Sequence, residues 1–322
     1  MTSWQASGEK GCAQGQRRAA AAALAGEALR PVRTPLQMAW WRFRRDRLAV
    51  LGGALLAVLA LAALAAPYLA RHITGYTPEQ IELGATLQAP GFHTAAGAPA
   101  HLLGTDELGR DVLTRLLYGG RASLYVAVLT VLVSLGLGTL VGALAGYYGG
   151  LADAALMRLV DIVIAVPALF LLILIAVVFT PGLTGLALVL ASIGWTGVAR
   201  LVRAEVMALK ERDFVDAARV IGARHGRIIL RHILPNATSP LIVAATLALG
   251  NVILTETALS FLGMGVQPPQ ASWGNMLTNA QQYLYRAPLL IVLPGAAIFC
   301  TVLAANLLGN GLRDALDPRM GD

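Results

Sequence analysis

Six long apolar runs constrain the fold of this chain more than any other feature. A helix that crosses a lipid bilayer needs about 20 mostly apolar residues, and each run is close to this length or longer. The runs are Leu48–Ala70, Ala122–Gly146, Ala154–Val178, Leu183–Ala199, Pro240–Leu262 and Pro288–Leu308. Only 13% of the 322 residues are charged, about half the share of a typical water-soluble domain. The sequence therefore predicts an all-α, polytopic membrane protein with six transmembrane helices.

The lysines and arginines predict how these helices are oriented. Counted by the segments that connect the runs, one side of the membrane holds 20 of them and the other side holds 5. The richer side of a membrane protein is normally the cytoplasmic one, so we predict that both termini and residues 200–236 are cytoplasmic. The net charge of +7 then reflects topology. The sequence lacks nucleic-acid recognition motifs, so the expected environment is a lipid bilayer and nucleic acid is not an expected partner.

These runs divide the chain into five parts. Residues 1–47 are predicted to be a cytoplasmic tail and lead-in, 48–70 the first transmembrane helix, and 71–121 an external segment. Residues 122–311 form a predicted core of five transmembrane helices, which includes the cytoplasmic loop 200–236, and 312–322 form a cytoplasmic tail. The first run starts too late and is too long for the apolar region of a cleaved signal peptide.

The sequence contains no recognisable catalytic, metal or cofactor motif. Cys12 lies in the polar tail and Cys300 in an apolar run, so we predict neither a disulfide nor a C-x-x-C site. The five histidines lack metal-binding spacing such as H-E-x-x-H. We therefore expect no catalytic residues, no bound metal and no bound cofactor.

Local patterns within the runs predict how the helices pack. Gly138, Gly142 and Gly146 recur every four residues and form a flat stripe that a neighbouring backbone can approach. Pro167 predicts a kink in the third run, either structural or a gating hinge. A local ion pair is expected between two residues three positions apart, Arg158 and Asp161.

Three polar residues lie inside the runs, namely Asn251, Glu256 and Asn306. Intramembrane carboxylates usually face a bundle interior or a wet cavity, so we predict that these residues pack internally or line a cavity. A proton relay is the alternative for Glu256. That role requires a chain of partners, and no second acid lies in the middle of any run.

The external segments contain two further local signals. In "LGTDELGRDVLTRLLYGG", Thr105 or Asp106 is predicted to cap a short helix, which either lies in the membrane interface or leads into the second run. One side of that helix carries Leu113, Leu116 and Leu117. Trp273 is predicted at the membrane interface.

Residues 211–236 are predicted to be helical, with Asp213 as N-cap. Phe214, Ala217 or Ala218, and Ile221 form an apolar face, and Gly222 ends the first helix. A second piece, Arg224–Ile233, places three isoleucines on one side: Ile228, Ile229 and Ile233. A small-residue face on a short helix suits docking into a groove of a soluble partner. An amphipathic helix lying on anionic lipid fits the arginines equally well.

The stretch "DAARVIGARHGRIILRHILPN" resembles the cytoplasmic "EAA" loop of ABC importer permeases, whose pattern is E-A-A-x-x-x-G, nine residues, then I-x-L-P. The matching residues are Asp216, Ala217, Ala218, Gly222, Leu234 and Pro235. Asp216 replaces Glu and keeps the charge, and His232 stands where the general pattern has Ile. The resemblance implies an ATPase-coupling loop formed by Phe214, Asp216, Ala217, Ala218, Ile221, Gly222, Leu234 and Pro235.

Other stretches are similar to the C-type permease of dipeptide and oligopeptide importers. They include "WWRFRRDRLAVLGG", "LGTDELGRDVLTRLLYGGRASL", "MRLVDIVIAVPALFLLI", "ALSFLGMGVQPPQASWGNML" and "GNGLRDALDPR". The resemblance covers about residues 36–320, nearly the whole chain. It does not single out one substrate, because nickel and glutathione importers share these motifs.

This resemblance implies a type I permease fold in a bacterial or archaeal cell membrane. It also implies a complex with a second homologous permease, two cytoplasmic ATPases and an extracytoplasmic solute-binding protein. ATP and magnesium would be used by the ATPase chains. In agreement, this chain has no G-x-x-x-x-G-K-[ST] phosphate loop.

Two other classes of protein remain as alternatives. A secondary transporter driven by an ion gradient would show inverted repeats, broken helices and midplane ion ligands, and the sequence contains no convincing internal repeat. An intramembrane hydrolase would need paired catalytic groups at membrane depth, and none are found. Within the family, a nickel or glutathione importer is the alternative to a peptide importer.

Overall fold

The computed structural model describes residues 35–179 and 182–317, which are mostly helical. The α-helices are α1 Pro35–Arg45, α2 Arg47–Leu64, α3 Ala66–Leu69, α4 Val112–Tyr148, α5 Gly150–Ala165, α6 Ala168–Phe179, α7 Leu183–Lys210, α8 Asp213–Val220, α9 His225–Ile228, α10 Thr238–Phe261, α11 Trp273–Ala280 and α12 Leu289–Leu316. Short π-helical turns extend α3 over Ala70–Thr74 and α9 over Ile229–Ile233. A two-residue antiparallel hairpin pairs β1, Phe92–His93, with β2, Ala100–His101.

Five of these helices are long and apolar enough to cross a membrane: α2, α4, α7, α10 and α12. A sixth span results if the pair α5 and α6 is one crossing, although the two helices meet at an angle of 83°. The described part of the chain therefore has five or six candidate spans. This agrees with the predicted class of polytopic helical membrane protein.

The third run is broken at Pro167 rather than kinked. α5 ends at Ala165, and Val166 adopts an extended conformation with φ −89° and ψ 130°. The residue before a proline is driven out of the helical region by a clash with the proline ring. The predicted kink therefore becomes an interruption between two helices.

Helix α4 begins ten residues before the second apolar run and has no separate interfacial helix ahead of it. Its N-cap is Asp111, whose side chain accepts a hydrogen bond from the backbone N–H of Thr114 at 2.7 Å. The predicted caps Thr105 and Asp106 lie upstream in a turn. There Asp106 Oδ1 accepts from the backbone N–H groups of Leu108 and Arg110, both at 2.9 Å. The sequence identified the right stretch but the wrong capping residue, because several acids in it can serve as caps.

The predicted glycine stripe is confirmed as the contact between α4 and α7. A Cβ added at Gly138 would lie 2.7 Å from the carbonyl oxygen of Trp195. One added at Gly142 would overlap the carbonyl oxygen of Ala199, and one at Gly146 would lie 2.8 Å from that of Arg203. The Cβ atoms of Val198, Val202 and Val206 lie about equally close to these positions. The glycines therefore let both the backbone and the valines of α7 approach α4 closely.

Residues 75–111 form a compact segment with buried charges. Asp106 Oδ2 lies 2.7 Å from Arg110 Nε and 3.3 Å from Arg115 Nε. His101 stacks on Tyr76 with ring centroids 4.1 Å apart, and its Nδ1 lies 3.0 Å from Asp111 Oδ1. This network joins the segment to the N-terminal end of α4.

Candidate functional site

The predicted coupling loop folds as two short helices connected by a left-handed turn. α8 begins at Asp213, but its N-cap is Arg212 and not Asp213. The helix stops before Gly222, which has φ +79°, a conformation that glycine adopts without steric cost. The N–H of Ala223 then bonds to the carbonyl oxygen of Ala218 at 3.0 Å, which satisfies one of the last free carbonyls of α8.

One side of α8 is buried in a cluster shared with α4, α7 and α9. Val215 and Ala218 are the residues of α8 in this cluster. They pack among Ala143, Tyr147, Val202, Val206, Ile228, Ile229 and Ile233. The three isoleucines of the second piece, which their spacing places on one side, are all buried in this cluster. α8 is fixed to the bundle by apolar contacts to two long helices.

The opposite side of α8 is exposed and remains partly apolar. Phe214 is 39% exposed and Ile221 is 83% exposed, so the predicted apolar face is divided. Ala218 turns inward with Val215, while Phe214, Ala217 and Ile221 face outward. Burying such side chains against a partner would be favourable by about 1.5–3 kcal/mol for each large one.

Polar contacts at the base of the loop tie it to the long helices. Tyr147 Oη, near the C-terminal end of α4, lies 2.8 Å from His225 Nδ1. Arg203 of α7 donates to both carboxylate oxygens of Asp153 in α5, at 2.5 and 2.6 Å. Paired contacts of this kind fix the relative orientation of the two groups. The loop is thus hydrogen-bonded to α4, and the ion pair separately joins α7 to α5.

The predicted ion pair between Arg158 and Asp161 does not form. Asp161 instead accepts a hydrogen bond from Arg200 of α7 at 2.7 Å. Positions three apart share a helix face, but a long arginine on a neighbouring helix reaches the same carboxylate. The prediction was wrong because spacing along one helix carries no information about its neighbours.

The remaining residues of the loop motif occupy distinct positions. Asp216 is paired with Arg219 at 2.8 Å, and both side chains are exposed. Leu234 packs at the edge of the apolar cluster, and Pro235 is exposed just before α10. The structure thus brings the motif residues together on one short segment.

Glu256 is fully buried in α10. Its Oε1 accepts from Ser260 at 2.7 Å and its Oε2 from Ser123 of α4 at 3.1 Å. Asn251 and Asn306 lie on the exposed surface of this chain. The three intramembrane polar residues are therefore not in one place.

Trp273 is not at an interface with lipid. It is 3% exposed, and its Nε1 donates to the carbonyl oxygen of Leu116 in α4 at 3.0 Å. A cap on α11 brings it there, because Ser272 and Asn275 form reciprocal hydrogen bonds around the first turn. The interfacial prediction was wrong because Trp273 belongs to a short helix, α11, that packs against α4 and buries this side chain.

Several residues of the site were missed at the sequence level. The spacing of Glu256 and Ser260 is a helical i, i+4 pair, so that contact could have been found. Ser123 is 133 positions away from Glu256, and no local pattern links them. Val215 lies just outside the predicted apolar face of α8 when the residues are placed around the helix axis. A slightly wider apolar stripe would have included it.

Comparisons with protein families match two parts of this chain. The family described as binding-protein-dependent transport system inner membrane component matches residues 138–322. The N-terminal TM domain of oligopeptide transport permease C matches residues 34–90. Together the two matches include the loop motif, the helices that hold it and the first span.

Individual relatives show the same similarity. The dipeptide transport system permease protein DppC of Haemophilus influenzae is 40% identical over 288 residues, which are 89% of this chain and 96% of the relative. The glutathione transport system permease protein GsiD of Pectobacterium atrosepticum is 40% identical over 90% of this chain and 93% of the relative. A solved structure of the MetNI methionine ABC transporter in inward facing conformations covers 64% of this chain and 97% of its own, with 21% identity and a TM-score of 0.48, too low to establish a shared fold. From the family match and the relatives, this chain belongs to the binding-protein-dependent transport system inner membrane components.

Proposed function

We propose that this chain is the permease subunit of an ATP-driven importer for dipeptides or oligopeptides, and that segment 211–236 is the loop that receives an ATPase. The observation that supports the loop assignment most directly is the divided surface of α8. Its inner side, Val215 and Ala218, is anchored to α4 and α7, while Phe214 and Ile221 are exposed. A helix held firmly on one side and apolar on the other suits a groove on a second protein.

The proposal includes the topology and the partners. Six spans with both termini in the cytoplasm agree with the distribution of 20 and 5 basic residues on the two sides. In this arrangement the loop is cytoplasmic, and residues 75–111 face the outside of a bacterial or archaeal cell membrane. The complex would contain a second homologous permease, two ATPases that use ATP and magnesium, and an extracytoplasmic solute-binding protein. Asn251 and Asn306, exposed on this chain alone, would line the cavity shared with the second permease.

Peptides are the proposed cargo because a relative of nearly equal length is a dipeptide permease. A glutathione permease is equally similar over the same extent, so glutathione is the competing cargo, and nickel remains a third. The deciding experiment is uptake of labelled dipeptide, glutathione and nickel by cells with and without this chain, before and after ATP depletion. We expect that, of the three compounds, only the dipeptide is taken up in a way that requires both this chain and ATP. Chain-dependent uptake that survives ATP depletion but stops with an ionophore would contradict the proposal.

Substituting Gly222 with aspartate tests the coupling loop. A Cβ at this position would meet nothing within 4 Å in this chain, so the charge and bulk would act mainly on a docked partner. We expect a membrane-inserted complex whose transport falls about tenfold or more, equivalent to losing about 1.4 kcal/mol or more of coupling. The measurement is dipeptide uptake together with co-purification of the ATPase.

Gly97→Asp is the matched control for this variant. Gly97 also has a positive φ, +87°, and open space around its Cβ position, so it imposes a similar backbone strain and the same charge. It lies in segment 75–111, at the other end of the chain's bundle in the proposed topology. Normal transport by Gly222→Asp, or an equal loss in Gly97→Asp, would argue against docking at the loop.

A further inference from the structure

A buried cluster of three polar side chains lies where α10, α4 and α11 meet. It consists of Glu256, Ser260 and Ser123, and all three are almost completely buried. The buried hydroxyl of Ser272 also hydrogen-bonds with Glu256. Ser260 is on the same helix as Glu256, whereas Ser123 is on α4. A carboxylate buried this deeply is costly unless hydrogen bonds compensate it, so the cluster needs both serines.

Each serine also accepts a hydrogen bond from the backbone beyond α10. Residues 262–272, which we call the connector, join α10 to α11. The N–H of Val266 in the connector donates to Ser260 Oγ at 3.1 Å, and the N–H of Trp273, the first residue of α11, donates to Ser123 Oγ at 3.3 Å. A serine has a single hydroxyl hydrogen, and in both cases it is directed to Glu256. The carboxylate thus orients two serines that hold the backbone on both sides of the connector.

The connector and α11 lie directly on the long helices. A Cβ added at Gly274 would lie 2.9 Å from Thr257 Cα in α10, and one added at Gly119 of α4 would lie 3.3 Å from the Trp273 nitrogen. At both points backbone atoms of the facing segment lie within 3.3 Å of the added Cβ, together with Ser260 Cβ at Gly274 and Trp273 Cδ1 at Gly119. A small displacement of the connector would therefore disrupt its packing contacts with α10 and α4.

α4 links this cluster to the loop. It is one helix of 37 residues, about 55 Å long, with Ser123 near its N-terminal part and Tyr147 bonded to His225 of the loop at the other end. A continuous helix braced along the glycine stripe can transmit a displacement without bending. A displacement of α4 at the loop would then also displace the connector, provided that the connector is fixed to α4.

We propose that Glu256 is a positioning residue of the transport cycle, which fastens the connector and α11 to α4 so that the outer mouth of the permease follows the coupling loop. This inference rests on the proposed function for its direction of transport. The cluster itself is a feature of the fold, so its anchoring role can be measured whatever the cargo is.

The test uses the assembled transporter, with its second permease, ATPases and binding protein, in lipid nanodiscs or vesicles. Glu256→Leu removes both acceptors, whereas Glu256→Gln keeps one acceptor oxygen and replaces the other with an NH2 group that can only donate. Thr255→Val is the matched control, because Thr255 neighbours Glu256 and bonds only within α10, to the Asn251 carbonyl oxygen at 2.9 Å. Amide hydrogen exchange across 262–280 and dipeptide transported per ATP hydrolysed are measured on the same samples.

For Glu256→Leu we expect exchange in 262–280 to rise about tenfold and transport per ATP to fall about tenfold, with ATP hydrolysis retained. Glu256→Gln should give intermediate values in both, and Thr255→Val should match the wild type. If Glu256→Leu does not insert, Ser123→Ala supplies the test, since it removes only the hydrogen bond of the Trp273 amide, while Trp273 Nε1 still donates to the Leu116 carbonyl oxygen.

Three results would overturn the inference. One is unchanged exchange in 262–280 when Glu256 is replaced. Another is a released connector with unchanged transport per ATP. The third is complete loss of transport in Glu256→Gln with the connector still protected, which would instead indicate a proton relay. Failure of the wild-type complex to transport dipeptide would contradict the proposed function alone, because the exchange comparison needs no cargo.

Discussion

Replacing Gly142 with valine is expected to prevent stable packing of α4 on α7, with loss of most of the folded permease from the membrane. The added Cβ would overlap the carbonyl oxygen of Ala199 and would lie 2.8 Å from Val202 Cβ and 3.0 Å from the Arg203 nitrogen. Two of these atoms belong to the backbone and cannot rotate away, so the helices must separate. Overpacking typically costs 1–3 kcal/mol, and we expect about 3 kcal/mol or more here. The measurement is the amount of monodisperse complex recovered from membranes.

Gly136→Val is the control for this variant. Gly136 is on the same helix, and a Cβ there would meet nothing within 4 Å. The two substitutions therefore change helix propensity equally, and they differ only in what the new side chain contacts. We expect recovery near the wild-type level for Gly136→Val. Equal recovery of the two variants would show that the glycine stripe is not a close helix contact.

The glycine stripe shows which parts of the fold were predictable from sequence. Its four-residue period is a local pattern, and it predicts one helix face whatever the rest of the chain does. The apolar runs are local in the same sense. The six spans that they predict differ by at most one from the five or six candidate spans of the structure. The contact partner, α7, could not be predicted, because periodicity along α4 does not indicate which helix covers the stripe.

The errors at the ends of helices have a different origin. α4 extends upstream to Val112 because Asp111 caps it, although Asp106 lies in an equally plausible sequence. Asp106 does not cap the helix because its carboxylate is paired with two arginines, Arg110 and Arg115. Arg115 belongs to α4 itself. In the same way, Trp273 was assigned to the interface from its residue type, while its position is set by the contact with Leu116. Capping and interface rules rank the candidates, and tertiary contacts decide among them.

The candidate site was predictable in part for the same reasons. The family pattern locates the loop, and the spacing of the isoleucines predicts that they share one side of α9 and the turn that follows. The division of α8 into an anchored and an exposed side required the structure, since Val215 and Phe214 are adjacent in sequence and equally apolar. The partners of Glu256 also required it, because Ser123 is brought near only by the packing of α4 on α10.

Replacing Asp106 with alanine is expected to open segment 75–111. Asp106 Oδ2 contacts both Arg110 and Arg115, and both arginines are largely buried. Glu107 still pairs with Arg110 at 3.0 Å. Arg115 loses its short contact with Asp106. It keeps the hydrogen bond to the Pro78 carbonyl oxygen and the more distant charge of Glu107. Removing one member of a buried ion pair typically costs about 3–5 kcal/mol, because the remaining charge is left uncompensated. The turn also loses the hydrogen bonds from the Leu108 and Arg110 amides.

The effect is measured by hydrogen exchange across residues 75–115 in the assembled complex, with Asp216→Ala as the control. Asp216 also pairs with an arginine on its own segment, Arg219, but both side chains are exposed, and such pairs contribute about 0–1 kcal/mol. We expect exchange in 75–115 to rise at least a hundredfold in Asp106→Ala, since a cost of about 3 kcal/mol corresponds to more than two factors of ten. In Asp216→Ala it should not change. Asp106→Asn keeps an oxygen for the turn while removing the charge, so it should fall between the two. If Asp106→Ala behaved like the exposed control, the buried arginines would have to be stabilised by something other than this carboxylate.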